Sequence, residues 1–163
     1  MVLASVADRK ILWEKTVETI GYCNGAAFSP DGKVLYVGGG DREVYGFDAA
    51  TGDLVSRFAT GEKKTVRYAQ YPELTIDYHT GREIFEIATS PDGRLVAAGT
   101  APEGKVYVWD ARTGKEVVVL DTGLHTIRGL AFSPDSSLLV TGGVKYGLVR
   151  VWAMPKPEPA SGG

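Results

Sequence analysis

The tetrapeptide Ser29-Pro30-Asp31-Gly32 returns as Ser90-Pro91-Asp92-Gly93 and, with its glycine replaced, as Ser133-Pro134-Asp135-Ser136. No other feature of the chain limits its possible folds so tightly. Proline presets φ near about −65°, aspartate hydrogen-bonds nearby backbone, and glycine accepts a positive φ, so each copy is a tight turn. Short apolar runs precede the copies at Ala26-Ala27-Phe28, Ile87-Ala88-Thr89 and Leu130-Ala131-Phe132. Others follow at Val34-Leu35-Tyr36-Val37, Leu95-Val96-Ala97-Ala98 and Leu138-Leu139-Val140. A strand therefore ends before each serine, and another begins after each turn.

A second turn repeats downstream, Ala49-Ala50-Thr51-Gly52-Asp53 and Ala111-Arg112-Thr113-Gly114-Lys115. Alternating strands flank it: Glu43–Asp48 and Leu54–Phe58 in one copy, Lys105–Asp110 and Glu116–Leu120 in the other. Four short strands joined by turns form an antiparallel meander, the blade of a β-propeller. Pro91 and Pro134 lie 43 residues apart, within the roughly 40–45 of a four-stranded propeller repeat. Pro30 and Pro91 lie 61 apart, and the 18 surplus residues fall between Phe58 and Ile84.

The strings VYVWD (106–110) and VRVW (149–152), closing repeats that open on AFSPDG, resemble the WD-repeat family. The stretch with LYVGGG (35–40) and FDAATGD (47–53) is equally similar to YVTN-type and quinoprotein-like propeller repeats. The resemblance covers most of residues 1–154 and implies an all-β propeller. It also implies an aspartate in the turn between second and third strands, and a histidine-based hydrogen-bond network. Asp41 holds that turn position, but Glu103 and Tyr146 replace it in the other repeats, and His125 is about two residues out of register. The blades are therefore expected to cohere mainly by apolar packing.

The strand count gives two complete four-stranded blades and two partial ones. Residues 1–20 supply outer strands, 24–60 a blade, 61–83 an insert, 84–121 a blade, and 127–154 three strands. Residues 155–163 read as a Pro-rich tail or linker. Propellers usually have about 4–8 blades, so the sheets should stay open or close only through a partner chain. Open edges favour self-association, for instance by pairing Ile11–Lys15 with Gly147–Trp152 of another copy.

A formal net charge of −2 argues against a general nucleic-acid binder. One cysteine and two histidines leave little for disulfides or metal sites. No apolar run reaches the roughly 18–20 residues of a membrane span, and the N-terminus does not read as a signal peptide. A cytoplasmic protein without cofactor, nucleic-acid or membrane partner is the simplest expectation.

The insert carries the leading candidates for partner binding, Arg67, Tyr68, Tyr71 and Tyr78, because aromatic residues and arginine on loops are common binding anchors. Val66–Ala69 and Leu74–Tyr78 suit a hairpin across Pro72-Glu73. Asp41, Arg42, Glu103 and Tyr146 occupy turns expected on the same rim. Packing of the insert onto the disc, and plain solvated turns, are the alternatives. Trp109 and Trp152 are assigned to the core between blades, whereas Trp13 suits either a core or an exposed edge. Gly38-Gly39-Gly40 lacks the helix and Lys-Ser/Thr of a phosphate loop. Asp77 with His79, and Arg82 with Glu83, have no accompanying nucleophile. The expected function is a non-catalytic interaction scaffold with an unidentified protein partner. The alternative is a piece of a quinoprotein- or lactonase-like enzyme, for which the inner strands offer only Cys23, Asn24, Glu83, Glu86 and Arg128.

Overall fold

The fold is described from a computed structural model. It describes residues 2–5, 7–16, 22–61, 63–68, 71–79, 83–144 and 147–156; for Val2, 63–68 and 71–79 only backbone pairing is described. These residues form strands and turns without a helix.

The first blade runs β3 (Cys23–Phe28), β4 (Val34–Gly39), β5 (Glu43–Asp48), β6 (Leu54–Ala59), each antiparallel to the next. The second repeats the order with β9 (Glu83–Thr89), β10 (Leu95–Ala101), β11 (Lys105–Asp110) and β12 (Glu116–Asp121). The third sheet has three strands, β13 (Thr126–Phe132), β14 (Leu138–Val144) and β15 (Val149–Ala153). Ahead of them β1 (Val2–Ala4) pairs with β2 (Ile11–Glu14), and the insert is a ribbon of β7 (Lys63–Tyr68) and β8 (Tyr71–His79). Sheets contact one another through the inner strands β3, β9 and β13, and among the described residues they do not close into a ring.

The turns form as their composition dictates. In all three Ser-Pro-Asp copies the serine hydroxyl donates to the aspartate, at 2.7, 2.5 and 2.5 Å. That aspartate also accepts the amide two residues on. In the second turn type, Asp48 accepts from the amides of Ala50 and Thr51, and Asp110 from those of Arg112 and Thr113. The third repeat has Ala153 at that place. The Met154 amide donates to the Ser137 carbonyl, and its side chain closes the core behind it.

Three apolar layers separate the sheets. Between β1–β2 and the first blade lie Trp13, Leu35, Val37, Tyr45 and Phe47. Between the first and second blades Tyr36, Phe58 and Trp109 meet Ile84, Ile87 and Val96, with Phe58 and Trp109 stacked at 5.6 Å. Between the second and third are Leu95, Val106, Val108, Ile127, Leu139 and Met154. Trp109 is 2% exposed, in keeping with its expected core place. Trp13 is also core: at 8% exposure its indole N–H donates to the Ala49 carbonyl at 2.9 Å. It occupies, one repeat earlier, the position of Phe58, so β2 is the outer strand of a preceding blade.

Two of the joints, those flanking the second blade, also carry a knob and a socket. A β-carbon on Gly38 would stand 2.8 Å from Cγ2 of Ile84, and one on Gly99 would collide with Ile127. These glycines are required by close approach rather than by turn geometry. The residue equivalent to Ile84 and Ile127 in the first blade is Cys23. Among the described residues one link of the histidine-based network is present, the Trp152 indole donating to Thr141 Oγ1 at 3.0 Å.

The insert is a hairpin, but its turn is not where the sequence suggested. Lys63 pairs with His79, Val66 with Ile76, and Tyr68 with Tyr71, so the reversal precedes Pro72-Glu73 and Pro72 lies within β8. A two-stranded ribbon consists wholly of edges, so a proline is tolerated there where a central strand would reject it.

Candidate interaction surface

Strand alternation puts the joints between second and third strands, and the connections between blades, on one rim of the sheets. On that rim Asp41 turns back into its own hairpin, accepting from the Glu43 amide at 3.4 Å and the Tyr45 hydroxyl at 2.5 Å. Arg42 has a φ of 72°. Its carbonyl accepts from both the amide and the hydroxyl of the buried Thr60, at 3.0 and 2.8 Å. In the second blade Thr122 makes the same pair of bonds to Gly104. The repeated Thr60-Gly61 and Thr122-Gly123 dipeptides thus tie the end of each outer strand to the neighbouring turn. Their recurrence was visible in the sequence, but its purpose was not.

Arg42, Glu83, Phe85, Ala101, Pro102 and His125 line a cleft of about 280 Å³ on this rim. Asp41 does not line it, and Glu103 instead pairs with Lys105 Nζ at 3.5 Å. In chain order the insert ribbon lies between β6 and β9, and Glu83, the first residue of β9, lines this cleft. The side chains of Arg67, Tyr68, Tyr71, Tyr78 and Tyr146 lie outside the described residues, as do those of Asp77, His79 and Arg82.

The inner-strand residues considered for chemistry hold structural contacts. Asn24 donates to the Ile84 carbonyl at 3.3 Å, and the Arg128 guanidinium lies 4.8 Å from the Phe85 ring centre. Burial pushes the Cys23 thiol and the Glu86 carboxyl up, Arg128 partly offsetting the latter. The Tyr22 hydroxyl is pushed up by its hydrogen bond to Glu83. Among the described residues no group of three or more His, Cys, Asp or Glu side chains is placed to hold a metal ion. Among those residues no helix is long and apolar enough to cross a membrane.

The opposite rim carries the Ser-Pro-Asp turns and a second, larger cleft of about 620 Å³ between the first two blades. Its floor includes Tyr36, Val34 and Ala111. Sequence reasoning passed over Tyr36 as an ordinary strand residue. Its repeat equivalents are Ala97 and Val140, and that contrast was the available signal.

Two solved structures share this architecture. One, titled "Structure of U3-55K", aligns over 85% of this chain and 37% of that one, with a TM-score of 0.65 and 16% identity. The other, "Crystal structure of RRP9 WD40 repeats", aligns over 94% and 41%, with a TM-score of 0.64 and 17% identity. Both establish likeness of fold. In sequence, periodic tryptophan protein 2 of Arabidopsis thaliana is 25% identical over 153 residues, covering 79% of this chain and 17% of that protein. WD repeat and SOCS box-containing protein 1 of Mus musculus is 32% identical over 101 residues, covering 62% and 22%. The chain thus spans about a fifth of the length of these curated relatives. The profile of the WD domain, G-beta repeat, matches residues 15–48, 70–110 and 114–153, and the chain belongs to the WD-repeat family of β-propeller proteins.

Proposed function

We propose that this chain is a protein-interaction scaffold without catalysis of its own, and that its partner surface is the rim bearing the insert ribbon. The observation that carries this reading is the ribbon's position and register. The connection between second and third sheets needs only Thr122–His125, whereas the equivalent one between the first two occupies residues 60–82. Among the described residues, the apolar layer between these blades is built from β4, β5, β6, β9, β10 and β11. In the ribbon, Lys64 pairs with Tyr78 and Val66 with Ile76, which puts one lysine with an aromatic and two aliphatic positions on one side. Lys63, His79, Thr65, Asp77, Arg67 and Thr75 alternate on the other. A rigid sheet stack presenting such an amphipathic ribbon suits recognition of another protein surface. Arg67, Tyr68, Tyr71 and Tyr78, with Asp41, Arg42, Glu103 and Tyr146 on the neighbouring turns, are the proposed contact residues.

The test replaces residues 62–82 with a connection of the length used at Thr122–His125. Circular dichroism and cooperative unfolding should persist. Cross-linked partners recovered from the native host with the intact chain should be lost. Retention of the same partners by the shortened, folded chain overturns the assignment.

A further inference from the structure

The larger cleft exists because one repeat departs from the next. Between the second and third sheets, the Asp92 amide donates to the hydroxyl oxygen of Ser136 (φ 60°) at 3.1 Å and staples the two Ser-Pro-Asp turns together. Between the first and second blades the place of Ser136 is taken by Gly93 (φ 73°). A β-carbon there would meet nothing nearer than Cδ of Pro30 at 3.9 Å. The turns stand apart, and the cleft opens between them.

Its lining has the chemistry of a side-chain pocket. Val34, Tyr36 and Ala111 give its lining apolar surface, and Asp31 and Asp92 belong to the same lining. Tyr36 is only 5% exposed, yet among the described residues its hydroxyl has no hydrogen-bond partner, and the residue lines the cleft. That hydroxyl can therefore donate to a group bound in the cleft. Burial and the Asp31 charge push the Tyr36 phenol up, keeping it neutral.

Both carboxylates are ionised at neutral pH. The Ser29 hydroxyl and the Lys33 amide hold Asp31 below the usual range. Partial burial pushes Asp92 up, but Ser90 and the Arg94 amide outweigh it and hold it low as well. Their second oxygens are lightly used. Lys33 Nζ is 3.4 Å from one, and Arg94 Nε is 3.5 Å from the other while Nη2 of Arg94 is engaged by the Pro155 carbonyl. Arg112 is the remaining cation on the lining. An anionic group would lie against two carboxylates, and a neutral apolar one would leave them and the Tyr36 hydroxyl unused.

We infer that this cleft is a pocket for a cationic side chain with an aliphatic stem, an arginine or lysine of a partner protein. The stem lies along Val34 and Tyr36, and the charged head meets Asp31, Asp92 and the Tyr36 hydroxyl. The pocket lies on the rim opposite the insert ribbon and does not depend on it.

Two probes decide the matter, N-acetyl-arginine methylamide and its glutamate counterpart, titrated into the 163-residue chain and followed by amide chemical shifts. The arginine probe should give saturable shifts at Asp31, Gly93 and Ala111, and the glutamate probe none. Asp31→Asn and Tyr36→Phe should each weaken binding about tenfold, the scale of one lost charge-assisted hydrogen bond. Gly93→Ser should abolish binding while the fold persists, since Ser136 already adopts the required φ. No saturation, an equal response to the glutamate probe, or unchanged binding by folded Gly93→Ser overturns the inference. The chain shortened at residues 62–82 should bind the arginine probe as the intact chain does, so this pocket and the ribbon surface fail or stand separately.

Discussion

At the joint between the second and third sheets, Ile127 occupies space that any β-carbon on Gly99 would claim. Gly99→Ala should therefore destabilise the chain by about 1–3 kcal/mol through overpacking. Trimming the knob as well, with Ile127→Val, should make the double variant less unstable than the sum of the two changes. Additive losses in denaturant unfolding would show that the two positions do not meet. Trp109→Ala should cost roughly 3–5 kcal/mol, as for other buried large aromatics, and a loss below about 1 kcal/mol would remove it from the core. The turn aspartates predict a pH dependence. Asp135 is lowered to about 2 by the hydroxyl of Ser133 and by the amide and hydroxyl of Ser137. The unfolded chain titrates near about 3.9. The bound form thus favours folding above about pH 4, and that contribution disappears as pH falls through about 2. Asp31, Asp48 and Asp110 are lowered in the same way, so their contributions fade in the same direction. Urea titrations should show stability falling from pH 4 toward 2, less steeply in Asp135→Asn; an unchanged slope would contradict this. The turns were legible because proline, aspartate and glycine act locally. The knob and socket were not, since Gly99 and Ile127 meet only after the sheets stack.

Strands and blades followed from alternation and from the period of the turns, and the two complete meanders lie where those signals put them. The insert shows the limit of local reading. Proline marks a turn in most contexts, but in an isolated ribbon it is accommodated at a free edge, and the reversal moved upstream. The outer strand β2 shows another limit. Its burial pattern, with Trp13 covered and Ile11, Leu12 and Glu14 exposed, depends on Phe47, more than thirty residues away. Trp13→Ala should release β1–β2 from the first blade without unfolding it. In hydrogen exchange, β2 amides should lose protection while those of β4 and β5 keep theirs. Joint loss in all three strands would mean that the ribbon and the blade are one cooperative unit.

Taken whole, the sheet stack ends in two apolar edges. Ile11 and Leu12 are 62% and 59% exposed at one end, and Val149 and Val151 are 61% and 59% exposed at the other. In the second blade, β11 and β12 pair Val106 with Leu120 and Val108 with Val118. By repeat equivalence, Val149 would face Trp13 and Val151 would face Ile11 of a second copy, in place of Leu3 and Ala4 of β1, which hold those positions within the chain. Flat apolar strands with unpaired backbone groups recruit other strands. The 163-residue chain on its own should therefore associate at micromolar concentration, and Val149→Lys with Val151→Lys should reduce this. Light scattering coupled to size exclusion decides it, and a clean monomer of the unmodified chain would refute the expectation. The architecture was readable from sequence because each repeat states it again. The larger rim cleft was not, because it is formed where repeats differ: Gly93 against Ser136, Tyr36 against Ala97.

The distribution of indoles has a practical consequence. The chain has three tryptophans, and each occupies a different joint: Trp13 against the first blade, Trp109 between the first and second, and Trp152 between the second and third. The molecule thus carries one native fluorophore per joint. Replacing two of the three with phenylalanine in each combination would yield single-indole chains whose emission reports the opening of one joint at a time. Coincident denaturation curves would identify a single cooperative stack, and a staggered series would give the order in which the blades part.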